Sequence, residues 1–265
     1  MTDSQARTLP RTGLVAPLAH LAWREARVAA TVTETADART LVLDVAHWPG
    51  HRAGQHVDVR LTAPDGYQAT RSYSLSTGPG EPPALTVQEV ADGEVSTYLV
   101  RDVAVDDTLE VRGPIGGWFV WGGEPRPLLL LGGGSGLAPL RARWRVAGTG
   151  APVVVLASVT APERLLYATE LAERAASGAA VVTVHESRAP VAEARADAVP
   201  LLPGVVLRPG RVDAGSVARS LEACGGVGAD PAVFVCGPTS FVEAMIDLLQ
   251  GAGLDPRSVR AERFG

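Results

Sequence analysis

The stretch Arg71-Ser72-Tyr73-Ser74 sets a guanidinium, a phenol and two hydroxyls side by side inside "ATRSYSLST", a run of β character. A half-buried strand alternates apolar and polar residues, whereas here the polar groups are clustered. Arginine matches a phosphate with a planar fork, tyrosine offers a flat face to an aromatic ring, and a serine hydroxyl bonds a ring nitrogen. Strand alternation puts Arg71 and Tyr73 on one face and Ser74 on the other. Ser74 then reaches the same ligand only if the strand bends or the ligand crosses its end. Farther along, "GEVSTYLV" runs from Gly93 through Val95, Ser96 and Thr97 into a short helix expected over about 96–102, with Ser96 as its N-cap. The start of such a helix aims free N–H groups at an anion.

A second anion-suited turn lies in "LLLLGGGSGLAPL", where Gly132, Gly133, Gly134, Ser135 and Gly136 separate a buried strand from a helix. Glycine permits the tight turn and close backbone approach, and the helix start carries partial positive charge for a pyrophosphate. The spacing is not G-x-G-x-x-G: Leu137 or Pro139 stands where the third glycine belongs. The following strand, ending "ASVT", lacks the acidic residue that would hold a ribose. Two phosphate-suited sites, one in each half, suggest two nucleotides meeting at a cleft. That arrangement favours hydride transfer between stacked rings.

The elements that must position these groups fall into two grammars. From Trp23, six short β-type runs separated by Gly, Pro and Asp predict a small antiparallel barrel over 21–123. From residue 124 to 265, continuous apolar runs alternate with helical stretches. They predict an α/β domain on a parallel sheet, closing with a short strand over 259–264. Residues 1–20 show no periodicity and read as a flexible arm. The chain has 265 residues and net charge −5, which argues against general nucleic-acid binding. No apolar run suits a membrane span or a signal peptide. Cys224 and Cys236 are too few for a disulfide framework or a four-cysteine cluster, and a reduced, cytoplasmic setting is expected. The five histidines lack metal-ligand spacing, so no metal site is expected. Every Lys/Arg position is arginine, so a cluster such as Arg141, Arg143 and Arg145 reads first as compositional bias.

Taken in order, these motifs resemble the ferredoxin–NADP reductase family, over about 23–265. Arg71-x-Tyr73-Ser74 resembles its flavin motif R-x-Y-[ST], and Gly93 to Ser96 its flavin-phosphate motif. "RGPIGGWF" is similar to the family's G-P-x-G-x-F strand end, and "GGGSGLAPL" to its nicotinamide-pyrophosphate loop. "VCGP", with Cys236, Gly237 and Pro238, resembles its C-G-P turn, and "ERF" its closing E-x-aromatic. The resemblance implies FAD, with its pyrophosphate held by Arg71 and Ser96, Tyr73 stacked on the isoalloxazine and Ser74 near N5. It implies that Cys236 and Glu262 shape the nicotinamide pocket and that Phe264 covers the flavin until the nicotinamide arrives.

Ser187 and Arg188 stand where plant-type reductases carry a serine–arginine pair, which favours NADPH. Thr160, where many bacterial relatives have arginine, favours NADH. With no fused [2Fe–2S] domain expected, electrons would pass to a separate ferredoxin, cytochrome P450 system or oxygenase component, or to a small acceptor. Two alternatives are a flavin-binding subunit that docks a larger complex with little nicotinamide turnover, and a nicotinamide dehydrogenase without flavin. The complete Gly-rich loop and Cys-Gly-Pro turn oppose the first; "RSYS" opposes the second.

Overall fold

The computed structural model describes residues 22–147, 150–189 and 199–264; the N-terminal arm expected over 1–20 lies outside them. The first half is a six-stranded antiparallel sheet built from β1 (Trp23–Thr35), β2 (Ala38–Val45), β3 (His56–Thr62), β4 (Gln68–Ser74), β5 (Ala84–Gln88) and β6 (Thr108–Ile115). In the order β4-β3-β6-β1-β2-β5 the sheet curls, and a Leu75–Leu85 bridge brings its two edges together. Leu41, Leu43, Val57, Val59, Leu85 and Val111 fill the interior, as alternation requires. Helix α1 (Glu94–Arg101) covers one opening with Val95 and Leu99.

The outer face of this barrel is polar but paired. Arg60 and Arg112 stack on Trp23, with guanidinium carbons 4.2 and 4.9 Å from the ring centroid. Arg112 pairs with Asp58 at 2.6 Å, and Ser72 donates to the same carboxylate at 2.6 Å. These bonds hold Asp58 below its ordinary carboxylate range, against the opposing effect of burial.

The second half is a seven-stranded sheet in the order β10-β11-β9-β8-β7-β12-β13, parallel except for the β10–β11 hairpin. Its strands are β7 (Leu128–Gly133), β8 (Val153–Val159), β9 (Val181–Glu186), β10 (Val199–Leu202), β11 (Val205–Pro209), β12 (Ala232–Pro238) and β13 (Val259–Phe264). Central strands buried on both faces read as unbroken apolar runs, and β7 is buried throughout. Helices α2 (Leu137–Val146) and α3 (Ala168–Ala176) cover one face, where Leu130 and Phe234 point; α4 (Ala214–Ala223) and α5 (Thr239–Gly251) cover the other. Phe119 and Trp121, from the segment joining the halves, pack into the α2–α3 side of this core.

Leu130 is fully buried at the centre of that face. Leu130→Ala is expected to cost about 2–5 kcal/mol of unfolding free energy, read as a lower urea midpoint with unchanged slope. A shift under about 1 kcal/mol would show that the α2–α3 core is not packed as described.

Candidate functional site

A cavity of about 510 Å³ lies where the two halves meet. Its barrel side is the C-terminal end of β4, Thr86 and Gln88 of β5, and the turn entering α1; its other side is Ser135, Pro139, Cys236 and Phe264. The structure therefore gathers Arg71, Tyr73, Ser74, Ser96, Ser135, Cys236 and Phe264 around one space. Ser74 joins because it is the last residue of β4, so the cavity passes across the strand end.

Arg71 is exposed at the rim and donates only to the carbonyl of Thr70, at 2.8 Å. Among the described residues it has no carboxylate partner, which leaves a planar cation open to a phosphate. Tyr73 is partly buried against the barrel core, and burial pushes its phenol up to about 12, so it presents a neutral aromatic face. Ser72 lines the cavity too, with its hydroxyl turned to Asp58.

The reading of Ser96 as an N-cap is corrected. Helix α1 begins at Glu94, with Gly93 in extended conformation as N-cap and no side-chain cap. Ser96 lies inside the first turn, where its hydroxyl donates to the Gly93 carbonyl and accepts from the Val90 amide, both at 3.1 Å. The hydroxyl thus ties down the loop that delivers the helix start. The first-turn amides have no intrahelical acceptor. Thr97 hydrogen-bonds Glu89, at 3.4 Å, and does not line the cavity.

The glycines of the second loop have steric reasons. A Cβ on Gly136 would lie 2.1 Å from the Cys236 carbonyl, and one on Gly133 would lie 2.9 Å from the Phe241 ring. Gly237 meets the same ring at 2.7 Å. Gly133, Gly136 and Gly237 thus let the loop lie flush on β12 and α5, Gly134 supplies a positive φ of 53°, and Ser135 reaches the cavity.

Cys236 and Glu262 are direct partners across β12 and β13, as are Pro238 and Phe264. Burial raises the Cys236 thiol far above its ordinary value, so it is a small neutral wall and not a nucleophile. Glu262 is half-buried; burial pushes its carboxyl up to about 7, opposed by the positive charge of Arg143. Ser187 donates its hydroxyl to the Val159 carbonyl at 3.0 Å, and Arg188 stands exposed beside it; neither lines this cavity.

Sequence reasoning missed Thr86, Gln88 and Arg143. The only signals in "ALTVQ" are Thr86 and the closing Gln88, in a strand otherwise apolar. Arg143 is fully buried and stacks between Phe119 and Phe234, 3.9 and 4.2 Å from the ring centroids. It donates to the carbonyls of Pro139 and Phe119, and burial lowers it to about 9, still a cation at neutral pH. Its neighbours Arg141 and Arg145 instead pair with Glu170 and Glu81.

Residues 25–120 match the family model described as an oxidoreductase FAD-binding domain. The chain is similar to flavin oxidoreductases of the ferredoxin reductase type. It is 30% identical over 252 residues to the ferredoxin reductase component of 3-ketosteroid-9-alpha-monooxygenase from Mycolicibacterium smegmatis, covering 91% of this chain and 65% of that one. It is 27% identical over 220 residues to the flavohemoprotein of Bacillus subtilis, covering 82% and 52%. The chain thus spans between about half and two thirds of these relatives. The flavohem-like FAD/NAD-binding domain of nitric oxide dioxygenase from Vibrio cholerae has the same fold, with TM-score 0.74, 23% identity, and 91% and 98% of the two chains covered.

Glu262 gives a test of this corner that needs no ligand. Its folded value of about 7 lies above the ordinary 4.5, so the folded state binds the proton more tightly than the unfolded state. Stability from this group is full below about pH 4.5 and is lost as pH rises through about 7. Glu262→Gln should therefore gain melting temperature relative to the parent chain as pH rises across that window. A difference that stays flat or runs the other way would contradict the assigned environment.

Proposed function

We propose that the chain is an FAD-dependent NAD(P)H reductase that receives hydride at the cavity between its halves and passes electrons to a separate acceptor. The observation that carries this reading is the single cavity lined both by the Arg71–Tyr73–Ser74 strand end and by Ser135, Cys236 and Phe264. An unpaired arginine, a neutral phenol ring and a helix start on one wall fit an extended flavin dinucleotide. Bound FAD supplies the hydride-accepting ring.

In this reading Arg71 and the first amides of α1 hold the pyrophosphate. Tyr73 backs the ring, and Ser74 offers a hydroxyl at its reacting edge. Across the cavity, Ser135 and the loop backbone receive the nicotinamide nucleotide's phosphates. Cys236 fits against the nicotinamide because it is small and neutral. Phe264, at the end of β13 and partly exposed, is able to move aside while β13 stays paired. Holding the two rings in contact replaces a bimolecular encounter and keeps water from the hydride.

Similarity to a monooxygenase's ferredoxin reductase component favours a one-electron protein acceptor, whether a ferredoxin, a cytochrome P450 system or an oxygenase component. NADPH is the proposed donor. Ser187 is engaged with Val159 and Arg188 is exposed beside it, which supports Arg188 as the cation for a 2′-phosphate. Cys224 and Cys236 are both free and buried, in keeping with a reducing, cytoplasmic compartment.

The test is ferricyanide reduction by the FAD-loaded protein. Turnover should require FAD. Arg188→Ala should raise KM for NADPH about tenfold, the loss of one charge-assisted contact, with KM for NADH within about twofold. Equal shifts for both nucleotides would remove NADPH selection from Arg188, and turnover indifferent to FAD would overturn the reductase reading.

A further inference from the structure

A chain of hydroxyls crosses the seam from the cofactor cavity to a second opening. Thr86 lines the cavity described above, while Glu34 lines a separate cleft of about 930 Å³ between β1, α2 and α3. Between them, Thr86 and Thr40 lie with Oγ1 atoms 2.8 Å apart, and Thr40 donates to the Glu34 carboxylate at 2.6 Å. Tyr167, reaching in from the second half, donates to Thr86 at 2.5 Å. Thr40, Thr86 and Tyr167 are all buried.

The direction of every hydrogen follows from counting. A threonine hydroxyl has one proton and two lone pairs. Thr40 spends its proton on Glu34, so Thr86 must donate to Thr40. Tyr167 occupies one lone pair of Thr86, and the other is left for the cavity. The chain is therefore set to accept a proton at Thr86 and deliver one to Glu34.

Resting on the reductase reading, the chemistry requires such an exit. NAD(P)H delivers two electrons and one hydrogen as a hydride. One-electron acceptors remove both electrons and none of the hydrogen, so one proton must leave the site in each cycle. We propose that Thr86, Thr40 and Glu34 form the proton exit, with Tyr167 as the positioning residue that fixes the Thr86 hydroxyl. In each passage Thr86 takes the proton and gives its own to Thr40. Thr40 gives its own to Glu34, and the resulting carboxylic acid discharges into the water of the cleft. The charged groups facing this path come from α2, α3 and the connection between β4 and β5. Arg141 lies 4.6 Å from the Tyr167 ring centroid and pairs with Glu170, and Arg145 pairs with Glu81 and Glu170. Burial holds the Tyr167 phenol far above its ordinary value, so it stays protonated and serves as an anchor. The backbone N–H of Tyr167 donates to Glu34 at 3.3 Å, holding the carboxylate at the end of the chain.

The experiment is reoxidation of FAD-loaded protein, photoreduced without nicotinamide by a sacrificial amine donor, on mixing with ferricyanide in weak buffer containing a pH indicator. In the parent chain, proton appearance should keep pace with flavin oxidation. In Thr40→Val and in Glu34→Gln the proton should lag at least about fivefold behind the flavin, and Thr40→Ser should restore the parent behaviour. Infrared difference spectra should show a carboxylic-acid band on reoxidation that is absent from Glu34→Gln. If Thr40→Val does not retain FAD, Glu34→Gln decides, since its amide oxygen still accepts from Thr40. Proton release at the parent rate in Glu34→Gln, with no infrared change, overturns the exit. Because the reduction uses light, failure of NAD(P)H to reduce the flavin would strike the reductase reading and leave this measurement standing.

Discussion

Everything the site does depends on polar groups buried at the seam between the halves, where water cannot satisfy them. Tyr167 is the clearest case. Its residue sits in left-handed conformation at the start of α3, its ring packs edge-on against Trp144, and its hydroxyl reaches Thr86 of the barrel. An unmet buried hydroxyl costs about 1–3 kcal/mol, so the two halves are held to the one orientation that pairs it. Phe119 and Val120 add backbone carbonyls that accept from Arg143 and Arg260. Most of these bonds join a side chain of one half to a partner on the other or on the connecting segment. The cavity keeps its shape because the orientation is fixed.

Arg143 is the costliest member of the seam. A guanidinium buried among aromatic rings loses hydration that two carbonyls and two ring faces return only in part. Its Nε finds no acceptor among the described residues. What its charge does is act on Cys236 and Glu262, where it opposes the effect of burial on both. Burial and cation therefore work against each other at the corner where the nicotinamide is proposed to lie. This balance leaves Glu262 near half-ionised at neutral pH rather than fully protonated.

Much of this is legible in the sequence, for specific reasons. Arg71, Tyr73 and Ser74 stand out because a strand has no structural use for that cluster. The apolar runs of β7 and β8 announce a parallel sheet, and the closing strand over 259–264 pairs as expected. Helix α1 starts two residues before the expected position because Gly93 supplies the extended N-cap conformation and frees Ser96 for the loop. The β10–β11 hairpin, with two prolines in its strands and Gly204 at positive φ between them, carries little strand signal. The seam leaves no mark in the sequence. Arg143 sits in an arginine-rich chain, and nothing in "LLYATE" says that Tyr167 will meet Thr86, because that contact exists only after both halves have folded.

The most direct test of the central claim, that both rings meet in one cavity, is anaerobic mixing of the FAD-loaded protein with NADPH or NADH, either protiated or deuterated at the transferring carbon. The flavin absorbance is expected to bleach in a single exponential, slower with the deuterated nucleotide, because hydride passes ring to ring. Tightly bound FAD that neither nucleotide bleaches would contradict it.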